Sequence, residues 1–295
     1  MSGKEQSISF YRSGGNPDLF IKAYDHTLRL WQVSVESVYI PSSFGLTHVL
    51  AAGPEGAEPL VLLHGFGFSS TAWFGNIQAL SAGYRIYAID FPGDINKSRS
   101  TRPIKNKADC AAWFTEMLDG LHIEKANVCG HSYGGFLALV LAARLSSRIH
   151  KIIALAPGAS LQPQSKEFFI RSLLAGMLPT TKRINRLMDY MTGKGNTINQ
   201  TIKDQFIAAM QNALPRTKLF ISYLKDVELE LIKVPVLLLI GDQDIQYDVE
   251  KAVARARKVI QGIEVTVIPG TGHGLPLEKP DIVNRFMLDF LGRKS

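Results

Sequence analysis

The sequence predicts an α/β fold, a mostly parallel central sheet with helices on both faces, interrupted once by a helical insertion. Three observations carry this reading. Short runs rich in Val, Ile and Leu recur at residues 60–63, 85–89, 126–129, 149–155, 236–240 and 264–268, with helical stretches between them. That alternation builds parallel strands joined by helical crossovers. The runs are continuously apolar, as in Leu60-Val61-Leu62-Leu63, which suits strands covered on both faces. After Leu155 the rhythm stops: Ala156-Pro157-Gly158 opens roughly 75 residues of helical periodicity with no strand signal before Pro235.

These breaks divide the chain. Residues 1–39 are expected to form an N-terminal extension packed on the core, residues 40–157 and 235–295 the core itself, and residues 158–234 a helical cap. Residues 33–39 and 47–52 are read as an antiparallel edge. The insertion carries Phe168, Phe169, Leu173, Leu174, Met177, Leu187, Met188, Met191, Phe206 and Met210. Most of these must pack, and a minority should line a pocket, because an insertion at the carboxyl ends of the strands overhangs the crevice where open α/β sheets bind ligands. A length of 295 residues suits one large core with an inserted subdomain.

Composition narrows the function classes. An apolar fraction of 46 % and a charged fraction of 20 % are those of an ordinary globular protein. The start lacks the apolar stretch of a secretory signal, and no window approaches the roughly 20 apolar residues that span a bilayer; a cytoplasmic protein without a membrane span is expected. Cys110 and Cys129 give no disulfide framework. The net charge is +7, and residues 158–233 hold 11 Lys/Arg against 6 Asp/Glu. This excess would attract anionic substrates or surfaces, but interspersed acids favour a solvated helical face. No basic block or nucleic-acid motif points to DNA or RNA. Homo-oligomerisation is compatible with the sequence.

The chemistry concentrates in Gly130-His131-Ser132-Tyr133-Gly134-Gly135, directly after one apolar run and before a helical one. Small residues two before and two after a serine let a strand turn sharply into a helix and expose the hydroxyl at the helix N-terminus. Backbone N–H groups and the helix dipole there favour the oxyanion formed during attack. A serine hydroxyl needs a base, itself oriented by a third group. His273 follows the run 264–268, and Asp244 follows the run 236–240, with Asp242 and Asp248 as alternatives for the acid. His131 adjoins the serine and is expected to point away, whereas His26, His48, His122 and His150 lie in no catalytic-looking loop. His64-Gly65-Phe66-Gly67 ends the first run, and the Phe66 N–H would join that of Tyr133 as an oxyanion hole. Gly65-Phe66-Gly67 followed by Asp90 imitates a dinucleotide fingerprint, but its third small position is Ser70, and that reading leaves the turn at residues 130–135 and the His273 loop unexplained. No metal or cofactor is expected, for want of any ligand cluster.

In the order of these motifs, residues 47–295 resemble the α/β-hydrolase superfamily. Residues 90–98, Asp90-Phe91-Pro92-Gly93-Asp94-Ile95-Asn96-Lys97-Ser98, depart from the common D-x-x-G-x-G-x-S form. They look like the bacterial carboxylesterase NP group, the naproxen esterases, as does the N-terminal extension through Trp31. The resemblance implies the α/β-hydrolase fold and a carboxylic ester hydrolase, with Ser132, Asp244 and His273 as its triad and a small-molecule ester, arylalkanoate or other apolar, as its substrate. The same core serves thioesterases, lactonases, carbon–carbon hydrolases, perhydrolases and ligand-binding proteins, which stand as alternatives. Serine at position 132 argues against dehalogenase and epoxide hydrolase chemistry, which would resemble a version with aspartate there.

Overall fold

The computed structural model describes residues 7–293. Helix α1 (Pro17–Leu28) opens on Asn16, whose side chain accepts the Asp18 N–H, with Pro17 in the first turn where no donor is required. Strands β1 (Glu36–Ser42) and β2 (Gly45–Ala52) make an antiparallel hairpin. Then come β3 (Pro59–Leu63), α2 (Ile77–Ser81), β4 (Arg85–Ile89), the two-residue β5 (Arg99–Ser100), α3 (Lys107–Gly120), β6 (Ala126–His131), α4 (Tyr133–Arg144) and β7 (Ile149–Leu155). No strand occurs between β7 and β8 (Val236–Gly241); that stretch holds α5 (Lys166–Met177), α6 (Thr181–Met191), α7 (Gln200–Asn212) and α8 (Asp226–Leu229). The chain closes with α9 (Val249–Val259), β9 (Glu264–Ile268), α10 (Leu275–Glu278) and α11 (Pro280–Leu291). Among the described residues no helix is long and apolar enough to cross a membrane.

The nine strands form one sheet in the order β1-β2-β4-β3-β6-β7-β8-β9, with β5 paired to β2. All ladders from β4 to β9 are parallel, and β2 meets β4 antiparallel. The six apolar runs fall inside β3, β4, β6, β7, β8 and β9. At the edge the expected run 33–39 is displaced to Glu36–Ser42. Pro41, which cannot donate to a ladder, obscures that strand in sequence and is tolerated because β1 has a neighbour on one side only. Two residues are too few to signal β5.

Alternation along the strands divides the interior in two. Val61 and Leu63 pack with Trp113 of α3 and Leu137 of α4 on one face. Leu60 and Leu62 pack with Phe20 of α1, Phe206 of α7 and Met287 of α11 on the other. Parallel register aligns the carboxyl ends: Leu63 pairs with Gly130, Gly130 with Ala154, Leu155 with Leu239, and Gly241 with Ile268. The loops leaving β3, β6, β8 and β9 therefore emerge along one edge.

The N-terminal segment straps α7 to this core. Arg12 donates through Nε to the carbonyls of Met210 and Ala213, and through Nη2 to that of Gly176 at the end of α5. Asn16 N–H reaches Asn212, the Leu214 N–H reaches the Phe10 carbonyl, and Tyr11 bridges Ala213. On its other side α1 is bolted to buried Asp90, whose carboxylate accepts from Tyr24 Oη at 3.1 Å, His48 Nδ1 at 2.8 Å, and the N–H groups of Ser70 and Lys97. Asp94 accepts the N–H groups of Gly67 and Ile95, fixing the loop after β3. Burial pushes its carboxyl up to about 6.

Burial opposes ionisation of Asp90 too, but the His48 hydrogen bond and charge outweigh it and bring its pKa to about 2, from an ordinary 3.8. A folded value below the unfolded one stabilises the protein above pH 4, and the benefit fades as pH falls through 2. Asp90→Asn should therefore cost on the order of 3 kcal/mol at pH 7, since it leaves buried donors without their anion. Urea unfolding at neutral pH and again at pH 3 checks this: the gap between wild type and variant should narrow at the lower pH, and equal stability at pH 7 refutes the assignment.

Candidate active site

Ser132 stands between β6 and α4 with φ 52° and ψ −109°, a conformation that side-chain-bearing residues adopt at a cost of roughly 1–3 kcal/mol. Its neighbours make it tolerable. A Cβ on Gly130 would lie 2.0 Å from the Gly134 oxygen, and one on Gly134 would lie 2.0 Å from the Leu63 oxygen, so only glycine lets strand, turn and helix approach this closely. The turn is pinned by the Ser132 N–H on the Leu155 carbonyl and by the Gly158 N–H on the Ser132 carbonyl, each at 2.9 Å.

His273 Nε2 lies 2.8 Å from Ser132 Oγ, and its Nδ1 lies 2.9 Å from Asp244 Oδ2. All three residues are buried. A carboxylate only accepts, so Nδ1 carries the proton in the neutral ring and Nε2 is left to accept from the serine hydroxyl. The second oxygen of Asp244 accepts the Gln246 N–H at 2.8 Å. The alternative acids are engaged elsewhere: Asp242 accepts the Thr271 N–H, and Asp248 caps α9 and pairs with Lys251.

The β3 exit loop approaches from the other side. A Cβ on Gly65 would touch that of Ser132 at 3.6 Å, so this loop runs beside the turn that continues into Tyr133, and the candidate donors are the Phe66 and Tyr133 N–H groups. Neither donates to a protein acceptor among the described residues. The two rings meet edge to face at 5.7 Å.

Contrary to expectation, His131 does not point away. The loop after β9 returns over the end of β6, and His131 Nε2 donates to the His273 carbonyl at 2.8 Å. Burial, reinforced by the adjacent His273, pushes its imidazole down to about 3 and keeps it neutral. Sequence reasoning also missed Glu278, which gathers the N–H groups of Gly193 and Gly272 and the Asn196 amide, and Met191, whose carbonyl accepts the His273 N–H. Adjacency to the serine was a clue to His131. No motif links Glu278 or Met191 to the site. Asp94 had a signal, the departure from the common glycine pattern at residues 90–98.

Ser132 opens into a cavity of about 190 Å³ walled chiefly by Phe68, Phe168, Leu187, Met188, Phe206 and Met210. Phe68 and Phe206 stack at 4.5 Å. No Lys, Arg, Asp or Glu lines it. Gln246 contributes a buried Oε1 that has no partner among the described residues. Nor do those residues contain a group of three or more His, Cys, Asp or Glu able to hold a metal ion.

Comparison with known proteins agrees with this architecture. Residues 60–286 match the Alpha/beta hydrolase family. An uncharacterized carboxylesterase, nap, of Bacillus subtilis is 34 % identical over 94 % of this chain and 93 % of its own length. The crystal structure of naproxen esterase (carboxylesterase NP) from Bacillus subtilis superposes with a TM-score of 0.89 at 34 % identity, covering 93 % of this chain and 98 % of the other. Carboxylesterase CesB (YbfK), also from Bacillus subtilis, gives 0.88 at 31 % identity over 94 % and 98 %. With a strained serine at the end of a parallel strand, a family match across most of its length and relatives of this similarity, the chain belongs to the alpha/beta hydrolase family.

Proposed function

We propose that the chain is a serine carboxylesterase, on the strength of the unbroken hydrogen-bond path from Ser132 through His273 to Asp244 at the mouth of an uncharged cavity. Ser132 Oγ attacks the ester carbonyl as His273 Nε2 takes its proton, and the oxyanion accepts the N–H groups of Phe66 and Tyr133. His273 then returns the proton to the departing alcohol, leaving an acyl-serine. Water, deprotonated by the same nitrogen, releases the acid and restores the enzyme. Asp244 holds the ring in the required tautomer and stabilises the imidazolium formed in each half-reaction.

The apolar wall supports neutral substrates, small to medium apolar or arylalkanoate esters, and the names of the Bacillus subtilis relatives point the same way. In this reading residues 158–234 act as a cap, with α5, α6 and α7 supplying most of the wall that selects the acyl group. A reducing, cytoplasmic setting suits Cys110 and Cys129, two buried thiols free of disulfide pairing.

Three outcomes test the proposal. Ser132→Ala should lower kcat by roughly a millionfold while preserving the fold, as loss of an activated serine does in triad enzymes. Fluorophosphonate should label the wild type stoichiometrically; failure to label, together with an active alanine variant, excludes the covalent route. Asp244→Asn should cost on the order of ten-thousandfold in kcat by favouring the wrong histidine tautomer, whereas Asp242→Asn and Asp248→Asn should each cost far less; the reverse ranking moves the acid elsewhere. Finally, kcat/KM should favour a neutral ester over a carboxylate-bearing analogue of equal size, because the cavity offers no cation to offset desolvation. A preference for the anionic analogue that shrinks with added salt would mean that basic residues line the substrate path after all.

A further inference from the structure

Helix α5 is built inside out for a globular protein. At about 100° per residue, Phe168, Ser172 and Ala175 fall within a stripe about 60° wide that faces the molecule; Phe168 and Ala175 are buried, and Phe168 and Ser172 line the cavity. On the opposite side Phe169, Ile170, Leu173, Leu174 and Met177, continued by Leu178, are each between 46 and 65 % exposed. The face turned to solvent is thus more apolar than the face turned to the protein. Contiguous patches of this kind mark an interaction surface.

Charge around the patch identifies its partner. On the adjoining α6, Lys182, Arg183 and Arg186 are exposed and make no ion pair among the described residues, while the acids of the two helices are already engaged, Glu167 with Arg171 and Asp189 with Lys203. Arg183 donates to the Leu178 carbonyl, which puts this cationic edge against the end of the apolar face. A second copy packed patch to patch would bring no free acid from either helix to receive these cations, since Glu167 and Asp189 are already paired. An apolar helical face fringed with unpaired Lys and Arg fits an interface between anionic headgroups and acyl chains.

We infer that α5 and the basic edge of α6 dock the protein on anionic lipid membranes. The docking face is the outer surface of the helix that walls the cavity, so lipid would lie about one helix diameter, roughly 10 Å, from the pocket. Apolar esters dissolved in the bilayer would then be presented at the cavity rather than collected from water. Arg12, which holds the Gly176 carbonyl, fastens the end of α5 to the N-terminal strap, so the docked helix stays tied to the core.

Co-sedimentation with phosphatidylcholine vesicles, with and without phosphatidylglycerol, tests this. The wild type should bind the anionic vesicles, bind neutral ones weakly, and lose affinity with salt. Leu173→Asn with Met177→Asn, and separately Arg183→Glu with Arg186→Glu, should each weaken binding by at least about tenfold, given that one basic residue near such a surface contributes roughly fivefold. Both pairs lie outside the cavity wall and should leave kcat/KM on a soluble short-chain ester unchanged, which reports an intact fold. Ser132→Ala should bind vesicles as the wild type does, so failure of the esterase reading and failure of docking are separable. The inference is overturned if the wild type ignores anionic vesicles, if neither pair weakens binding, or if sedimentation velocity reveals a dimer that Leu173→Asn with Met177→Asn dissociates.

Discussion

The contact on which the site depends is the near-collision of backbone at Gly130, Gly134 and Leu63. Because two residues lack side chains, α4 can start against the ends of β3 and β6, and the chain between them passes through the positive φ of Ser132. The strain is local and is sustained by hydrogen bonds to Leu155 and Gly158 on the neighbouring strand exit. What it achieves is position. The hydroxyl is lifted off the strand end toward a loop that parallel register has already delivered from β9, and the first turn of α4 presents free N–H groups beside it.

The loop bearing His273 is held as much by the insertion as by the sheet. Its N–H is received by Met191 at the end of α6, and Glu278 ties Gly272 to Gly193 and Asn196. Residues that shape the cavity are therefore continuous with those that set the angle of the imidazole. A substitution near residue 191 should register in the hydrogen bond to Ser132 as well as in pocket size, so the wall of the cavity and the alignment of the imidazole are not independently adjustable.

Much of this architecture was legible in the sequence because parallel strands buried on both faces must be apolar throughout, and the runs at 60–63 and 236–240 are. That Ser132, Asp244 and His273 come together was legible for a related reason: each lies just past such a run, and parallel topology sends those ends to one edge. What escaped was whatever depends on contacts between segments remote in sequence. The ring of His131 receives its direction from a loop more than a hundred residues later, and Glu278 joins Gly272 of the His273 loop to Gly193, which no pattern marks. The edge strand was displaced because Pro41 hides strand character wherever the ladder is one-sided. The outward apolar face of α5 was hidden differently: its Phe, Leu and Met residues read as packing residues, and only the three-dimensional placement of the helix shows which of them have nothing to pack against.

The strap formed by residues 10–16 also orders events in time. Arg12 is held by carbonyls at positions 176, 210 and 213, and Asn16 by Asn212. On a chain made from its N-terminus, these residues emerge some two hundred positions before most of their partners. They must wait, solvated, while the sheet through β7 is synthesised, and can close only when α7 exists to receive them. This segment is thus among the last to settle, and the buckle that fastens the helices over the cavity lies some two hundred residues upstream of most of what it holds.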